Sequence, residues 1–259
     1  MLMRSRGYQY EAQAHWLLRF DRFLQARLDL AERPLEVMLT SWAAAKPTRN
    51  HAAECQKVAR ILTKARFRLD PSIPPRRFNI RPEQEIRREH RRPHIFSPAD
   101  VRCMLDTARP YPSPDAPLRP MTLYTMIMLA YCAGLRRSEL AWLDLGDVDL
   151  QSGTITIRET KFYKTRILPL SASVVVELRA YIDARRRAGG SQDPKTGLFW
   201  HAHFNDRYTP NAVTTMITNV MRRAGLKPAS GRIGPRVHDL RHSMVVNRIL
   251  QWYRSGINP

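Results

Sequence analysis

Between Leu69 and His94 the chain reads LDPSIPPRRFNIRPEQEIRREHRRPH, with five prolines in 26 residues. Each proline lacks a backbone N–H and fixes φ, so neither a helix nor an interior strand can run through the stretch. No apolar period takes their place. The chain is therefore expected to fold in two parts, residues 1–75 and residues 94–259, joined by a connector at 76–93. Arg76, Arg77, Arg81, Arg87, Arg88, Arg91 and Arg92 make that connector strongly basic. It reads either as a solvated charged linker or as a strap lying along phosphates.

The part before the break is helical throughout. In YEAQAHWLLRFDRFLQARLDL the residues Trp16, Leu17, Phe20, Phe23, Leu24 and Leu28 recur at helical spacing with charges between them. A shorter helix is expected over Leu35–Trp42. A third runs from Asn50 to Phe67, with Val58, Ile61, Leu62 and Ala65 on its inner face.

After the break the pattern changes. FSPADVRCMLDTA offers Ser97 as N-cap, Pro98 at the first helical position and Asp100 in the first turn, where its charge suits the helix dipole. Further helices are expected near 119–133, 138–144, 172–188, 210–225 and 237–254. Between them GTITIRETKFYKTRILPL alternates, turns polar around Lys161 and returns as RILPL, the pattern of a hairpin. The fold class is mainly α (α+β): a helical N-terminal domain, then a mixed α/β domain with a small β-hairpin sheet.

Charge narrows the partner. The chain carries 43 Lys+Arg against 23 Asp+Glu, a formal +20. Residues 1–95 hold 20 basic and 10 acidic side chains and the remainder 23 and 13, so the excess is shared equally. A polyanion is the partner this balance favours, nucleic acid first. The longest apolar run, MTLYTMIMLAYCAGL, is interrupted by two Thr and is too short to span a bilayer, so no membrane role is expected. MLMRSRGYQY has no signal-peptide character, which suggests an intracellular, cytoplasmic setting. Cys55, Cys103 and Cys132 lack CxxC spacing and read as reduced core residues.

Two clusters can carry chemistry. AYCAGLRRSEL ends an apolar helix at Gly134 and at once offers Arg136, Arg137 and Glu139. VHDLRHSMVV places His238, Arg241 and His242 within five residues, His238 one helical turn from Arg241. A planar guanidinium can grip two non-bridging phosphate oxygens at once, which metal-free phosphodiester cleavage requires. A leaving oxygen needs a proton, and a hairpin lysine can supply it.

Gly134-Leu135-Arg136 with Ser138-Glu139-Leu140, the lysine-bearing hairpin ending RILPL, and HDLRH about a hundred residues later stand in the order of the tyrosine recombinase (phage integrase) family. The chain resembles that family across nearly its whole length. The resemblance implies that Arg136, Lys161, His238 and Arg241 are catalytic, with Lys164 as the alternative to Lys161, since Thr160 and Phe162 stand where the family favours glycine. Glu139, His242 and Lys164 are supporting residues in this reading. Arg76, Arg77, Arg87, Arg88, Arg91, Arg92 and Arg137 are expected to touch DNA. The resemblance further implies a core-binding DNA-binding domain at 1–75, a catalytic domain from 94, a C-shaped clamp on duplex DNA, and a tetramer that breaks and rejoins strands through a 3′-phosphotyrosyl intermediate without metal or other cofactor. The setting it implies is integration or transposition of a bacterial mobile element, at the nucleoid.

The family's nucleophilic tyrosine follows the second arginine by about thirty residues, past Pro259, so the sequence reads as a member truncated before its nucleophile. Tyr253 lies only twelve residues beyond Arg241, about 18 Å along a helix, and is expected with Trp252 to pack in the core. One rival reading is a non-catalytic remnant or decoy that only occupies DNA. Another is a zinc enzyme using His238, His242, His201 and His203, against which stand the missing HExxH pattern and the expectation that HAH lies in an exposed loop.

Overall fold

The computed structural model describes residues 11–30, 32–46, 49–74, 92–158, 165–203 and 206–256. The chain divides into two compact units, residues 1–90 and 91–259.

The first unit is built from α1 (Glu11–Gln25), α2 (Leu35–Ala45) and α3 (Arg49–Leu69). Phe20, Leu39, Trp42, Cys55, Val58 and Ala59 form its buried core. Trp42 organises it, with the Phe20 ring 5.0 Å away and the His51 ring edge-on at 4.7 Å. The His51 Nε2 lies 2.8 Å from the Trp42 carbonyl, which satisfies a buried polar atom. Two expectations shift. Helix α1 stops at Gln25, and a 3-10 turn over Leu28–Leu30 sends Leu30 into the core and leaves Leu28 exposed. On α3, Ala65 is exposed because the other helices cover only the earlier turns.

In the second unit the central helix is α5 (Arg119–Cys132), whose residues from Leu123 to Ala130 are buried except Tyr124. Around it stand α4 (Pro98–Ala108), α6 (Arg137–Trp142), α7 (Ala172–Arg187), α8 (Pro210–Arg223) and α9 (Val237–Arg254). The start of α4 forms as its sequence dictates. Ser97 Oγ accepts from the Asp100 N–H at 3.1 Å, and Asp100 Oδ2 accepts from the Ser97 N–H at 2.8 Å.

The expected hairpin is present as β2 (Thr154–Ile157) and β3 (Arg166–Pro169), in antiparallel register Ile157↔Arg166 to Thr154↔Pro169. A two-residue strand that the sequence did not announce, β1 (Val148–Asp149), extends it to an antiparallel sheet in the order β1-β2-β3. A second pair, β4 (Trp200–His201) and β5 (Asp206–Arg207), makes a separate small ribbon.

The beginning and end of this unit are stitched together. Ser243 Oγ on α9 accepts from the Phe96 N–H at 2.8 Å, and Asn247 Nδ2 donates to the Phe96 carbonyl and to the Tyr131 hydroxyl, both at 3.0 Å. Phe96 itself is fully buried.

Three expectations are corrected here. Trp252 and Tyr253 do not pack in the core: both are exposed on the last turn of α9, Tyr253 by 64%. The helix runs on past the part that α5 covers. Cys103 and Cys132 lie at the surface, and only Cys55 is a core cysteine, its thiol pushed up to about 12 by burial and by the neighbouring Glu54. His201 is not in an exposed loop but half-buried in β4, its ring 5.0 Å from that of Tyr208. Among the described residues no helix is long and apolar enough to cross a membrane.

Candidate active site

Helices α6 and α9 begin with the same local device. Each opens with an arginine followed three residues later by a buried carboxylate. Glu139 Oε2 accepts from the Arg136 backbone N–H at 2.9 Å, and Asp239 Oδ2 accepts from the Arg236 backbone N–H at 2.8 Å. A first-turn carboxylate satisfies an orphan N–H and suits the helix dipole. The device fixes where each helix starts, and so where Arg136 and His238 stand.

Between α5 and α6 the backbone turns at Gly134, where φ is +61°. A side chain there would also place its Cβ 2.3 Å from Met244 Cε and 3.8 Å from Arg241 Cγ. Glycine is thus needed twice, for the left-handed backbone and for the close approach of α9. The approach brings Arg241 to the turn, where its Nη1 donates to the Gly134 carbonyl.

Glu139 is the centre of the site. Its carboxylate accepts from Arg136 Nη1 at 2.7 Å, and from Arg166 Nη2 and Nη1 at 2.7 and 3.2 Å. Arg241 Nη1 stands 3.9 Å from the same carboxylate. Burial acts to raise the Glu139 pKa, but the hydrogen bonds from Arg166 and Arg136 outweigh it together and hold the carboxyl below its ordinary range. The side chain is only 7% exposed, yet stays ionised. Three guanidiniums and one carboxylate leave a local charge of +2.

His238 and His242 meet edge to face, ring centroids 4.6 Å apart. Burial lowers the His238 pKa first, and the neighbouring His242 ring and the guanidiniums of Arg241 and Arg136 lower it further, against the pull of Asp239. His238 is therefore a neutral imidazole at pH 7. Arg241 is depressed for the same reasons, burial first, then Arg136, against the opposing pull of Glu139. Burial, with like charges crowded around one carboxylate, produces this pattern.

The structure thus brings Arg136, Glu139, Arg241, His238 and His242 together. Lys161 and Lys164 lie outside the described residues, as do Arg76, Arg77, Arg87, Arg88 and Arg91. Arg92 is described and exposed. Arg137, also exposed, donates through Nη1 to Thr214 Oγ1 at 3.3 Å. Among the described residues no group of three or more His, Cys, Asp or Glu is placed to hold a metal ion.

Two features were not singled out from the sequence. Arg166 was read only as a letter of RILPL, and nothing in its local pattern points to a carboxylate 27 residues earlier. On α3, Lys57, Arg60, Lys64 and Arg68 are spaced by three, four and four residues, which puts four exposed cations on one narrow face. Lys57 Nζ lies 4.5 Å from the centre of the Trp16 ring beside them. Their spacing was legible, but no partner motif drew attention to it.

Residues 96–250 match the family described as the phage integrase family. Over 265 aligned residues, all of this chain and 82% of the relative, the chain is 31% identical to "Putative integrase/recombinase y4rB" of Sinorhizobium fredii (strain NBRC 101917 / NGR234). A stretch of 138 residues, 53% of this chain, is 62% identical to "Uncharacterized protein y4gA" of the same strain, of which it covers 74%. In fold the chain is similar to the Tn1549 transposon integrase in complex with transposon right end DNA, with TM-score 0.65, 16% identity, and coverage of 100% of this chain and 86% of that one. It is also similar to the XerH site-specific recombinase bound to palindromic difH substrate, with TM-score 0.62, 18% identity, and coverage of 92% and 68%. With its motifs, its helical fold and its residues 96–250 all in agreement, the chain belongs to the phage integrase family, the tyrosine recombinases.

Proposed function

We propose that this chain acts in site-specific DNA recombination, on a scissile phosphate held by Arg136 and Arg241. The family's metal-independent phosphoryl transfer, in which a tyrosine oxygen bonds to phosphorus as the 5′ oxygen leaves and a 3′-phosphotyrosyl link forms, needs a tyrosine that the residues assigned here do not include. The observation that carries the proposal is the convergence of three guanidiniums on Glu139, because it leaves a fixed +2 at one spot. A phosphodiester carries one negative charge and its pentacovalent transition state two. A preformed double positive charge therefore favours the transition state over the ground state. The neutral His238 supplies a hydrogen-bond partner for the phosphate or for a reacting oxygen. Lys161, with Lys164 as alternative, is proposed as the acid for the leaving 5′ oxygen, and His242 as a support for His238.

Residues 1–75 are proposed as the DNA-binding domain, residues 76–93 with Arg76, Arg77, Arg87, Arg88, Arg91 and Arg92 as a strap on phosphates, and residues 94–259 as the catalytic domain with Arg137 at its DNA face. The α3 face of Lys57, Arg60, Lys64 and Arg68 supports this, since one-sign ridges about 16 Å long suit a duplex backbone. Assembly on DNA as a tetramer, integration or transposition of a mobile element, and a place at the bacterial nucleoid complete the proposal.

Tyr253 is not proposed as the nucleophile, since it lies three helical turns past Arg241 and faces solvent. That placement also favours a second reading, in which the chain occupies DNA without cutting it. Incubating the chain with nicked duplex selected for tight binding separates the two. An adduct that survives denaturation and disappears in Arg241→Ala supports cleavage. Binding with one essential phosphate by ethylation interference, but no adduct, supports the second reading. Absence of any duplex binding at low salt overturns both.

A further inference from the structure

Glu139 has two oxygens and four donors on them. Arg136 contributes its backbone N–H and Nη1, and Arg166 contributes Nη1 and Nη2. With those four bonds the acceptor capacity of the carboxylate is largely filled. Arg241, 3.9 Å away, makes no hydrogen bond to it and donates to the Gly134 carbonyl instead. Arg241 therefore feels the buried carboxylate only as an ion contact at 3.9 Å and keeps the rest of its guanidinium unengaged by Glu139.

Arg166 is placed for this by the sheet and not by the site helices. It is the first residue of β3, in register with Ile157, on the strand face that also carries the half-buried Leu168. From there its planar fork spans both Glu139 oxygens, a geometry that a guanidinium can meet and an ammonium cannot. The neighbouring strand is fixed in a matching way, since Arg158 just after β2 pairs with the buried Asp147. The sheet is thus pinned to two buried carboxylates at the same end.

Resting on the reading of the site as a phosphate grip, we infer that Arg166 is a positioning residue whose task is to occupy Glu139, so that Arg241 is left for the substrate phosphate. Without Arg166, Glu139 regains two acceptor positions within about one ångström of hydrogen-bonding distance to Arg241. The two then pair, and one of the cations meant for phosphate is cancelled.

An unusual pattern of epistasis follows. In the otherwise unchanged protein, Glu139→Gln weakens anion binding, because Arg136 and Arg166 lose their anchor. In the Arg166→Ala background the same substitution strengthens it, because a neutral amide does not capture Arg241. A residue that merely supports the fold produces no such reversal.

The test titrates inorganic phosphate into the full chain at low salt and follows the imidazole NMR signals of His238 and His242. Saturable shifts in the unchanged protein are the control for the site itself, and their absence overturns the phosphate-grip reading and the inference with it. Given that control, Arg166→Ala is expected to weaken phosphate binding about tenfold, the loss of one good ionic contact. The double variant with Glu139→Gln is expected to recover to within roughly threefold of the unchanged protein. Unaltered binding in Arg166→Ala, or a double variant as weak as the single, overturns the inference and leaves the phosphate-grip reading standing. If Arg166→Ala fails to fold, Arg166→Gln takes its place with the same expectations.

Discussion

Arg241 Nη1 donates to the backbone carbonyl of Gly134, a bond that joins residues 107 apart in sequence and brings the two motif-bearing segments together. The turn at Gly134 and the guanidinium on α9 are one unit, because the left-handed backbone that aims the carbonyl also clears room for Met244 and Arg241.

Gly134→Ala should therefore be costly beyond its size. A non-glycine residue in the left-handed region costs about 1–3 kcal/mol, and the Met244 methyl must move as well. The expected loss is about 2 kcal/mol of unfolding free energy, read by denaturant titration. Met244→Ala in the same chain should return part of it by emptying the space that the new methyl needs.

Substituting Arg241 by lysine keeps the charge and removes the planar fork. Orthovanadate, which copies the geometry of a five-coordinate phosphate, should bind Arg241→Lys about tenfold more weakly, while affinity for duplex DNA changes less than roughly threefold. Arg136→Lys should behave alike. Equal losses for both ligands would mean that Arg241 serves general DNA attraction and has no privileged place at one phosphate.

The titration of His238 offers a third check. Burial and the surrounding cations depress its folded pKa, so it stays neutral at pH 7 and takes a proton only below the ordinary imidazole range near 6.5. The unfolded chain takes that proton more readily, so this residue contributes stability above pH about 6.5 and loses it as the pH falls. His238→Gln should accordingly gain on the unchanged protein as the pH drops from about 7 to 5, measured by unfolding midpoints. Binding of an anion between Arg136 and Arg241 should raise the His238 pKa, visible as a move of its NMR titration midpoint to higher pH.

The basic face of α3 predicts a salt effect. Charge reversal at Arg60 and Lys64 together should weaken duplex binding and flatten the dependence of log K on log salt by about 2, roughly 0.9 for each phosphate that is no longer neutralised. An unchanged slope would place the DNA-facing surface of this unit elsewhere.

How much of this was legible without a structure varied with the range of the interaction. Helices α4, α5, α8 and α9 were visible because periodic apolar residues and, at α4, the local cap of Ser97 and Asp100 act within a few positions. Arg136, His238 and Arg241 were visible because their order and spacing follow a known family. Arg166 was not, because its meaning depends on the strand register that carries it to Glu139, and register is a property of paired strands. The brief strand β1 went unseen for the same reason. Trp252 and Tyr253 were misplaced because large aromatic residues on a helix suggest a covered face, whereas α5 ends before it can cover them. The neutral state of His238 was hidden too, since a sequence shows which residues bear charge but not how many cations crowd one imidazole.

The seam between Phe96 and α9 has a mechanical consequence. Ser243 and Asn247 grip the backbone on both sides of Phe96, and they sit on the helix that presents His238 and Arg241. A pull arriving along the chain just ahead of Phe96 is not absorbed by a slack loop but delivered to the helix that carries His238 and Arg241. Whatever tugs on that segment is therefore mechanically coupled to the orientation of α9.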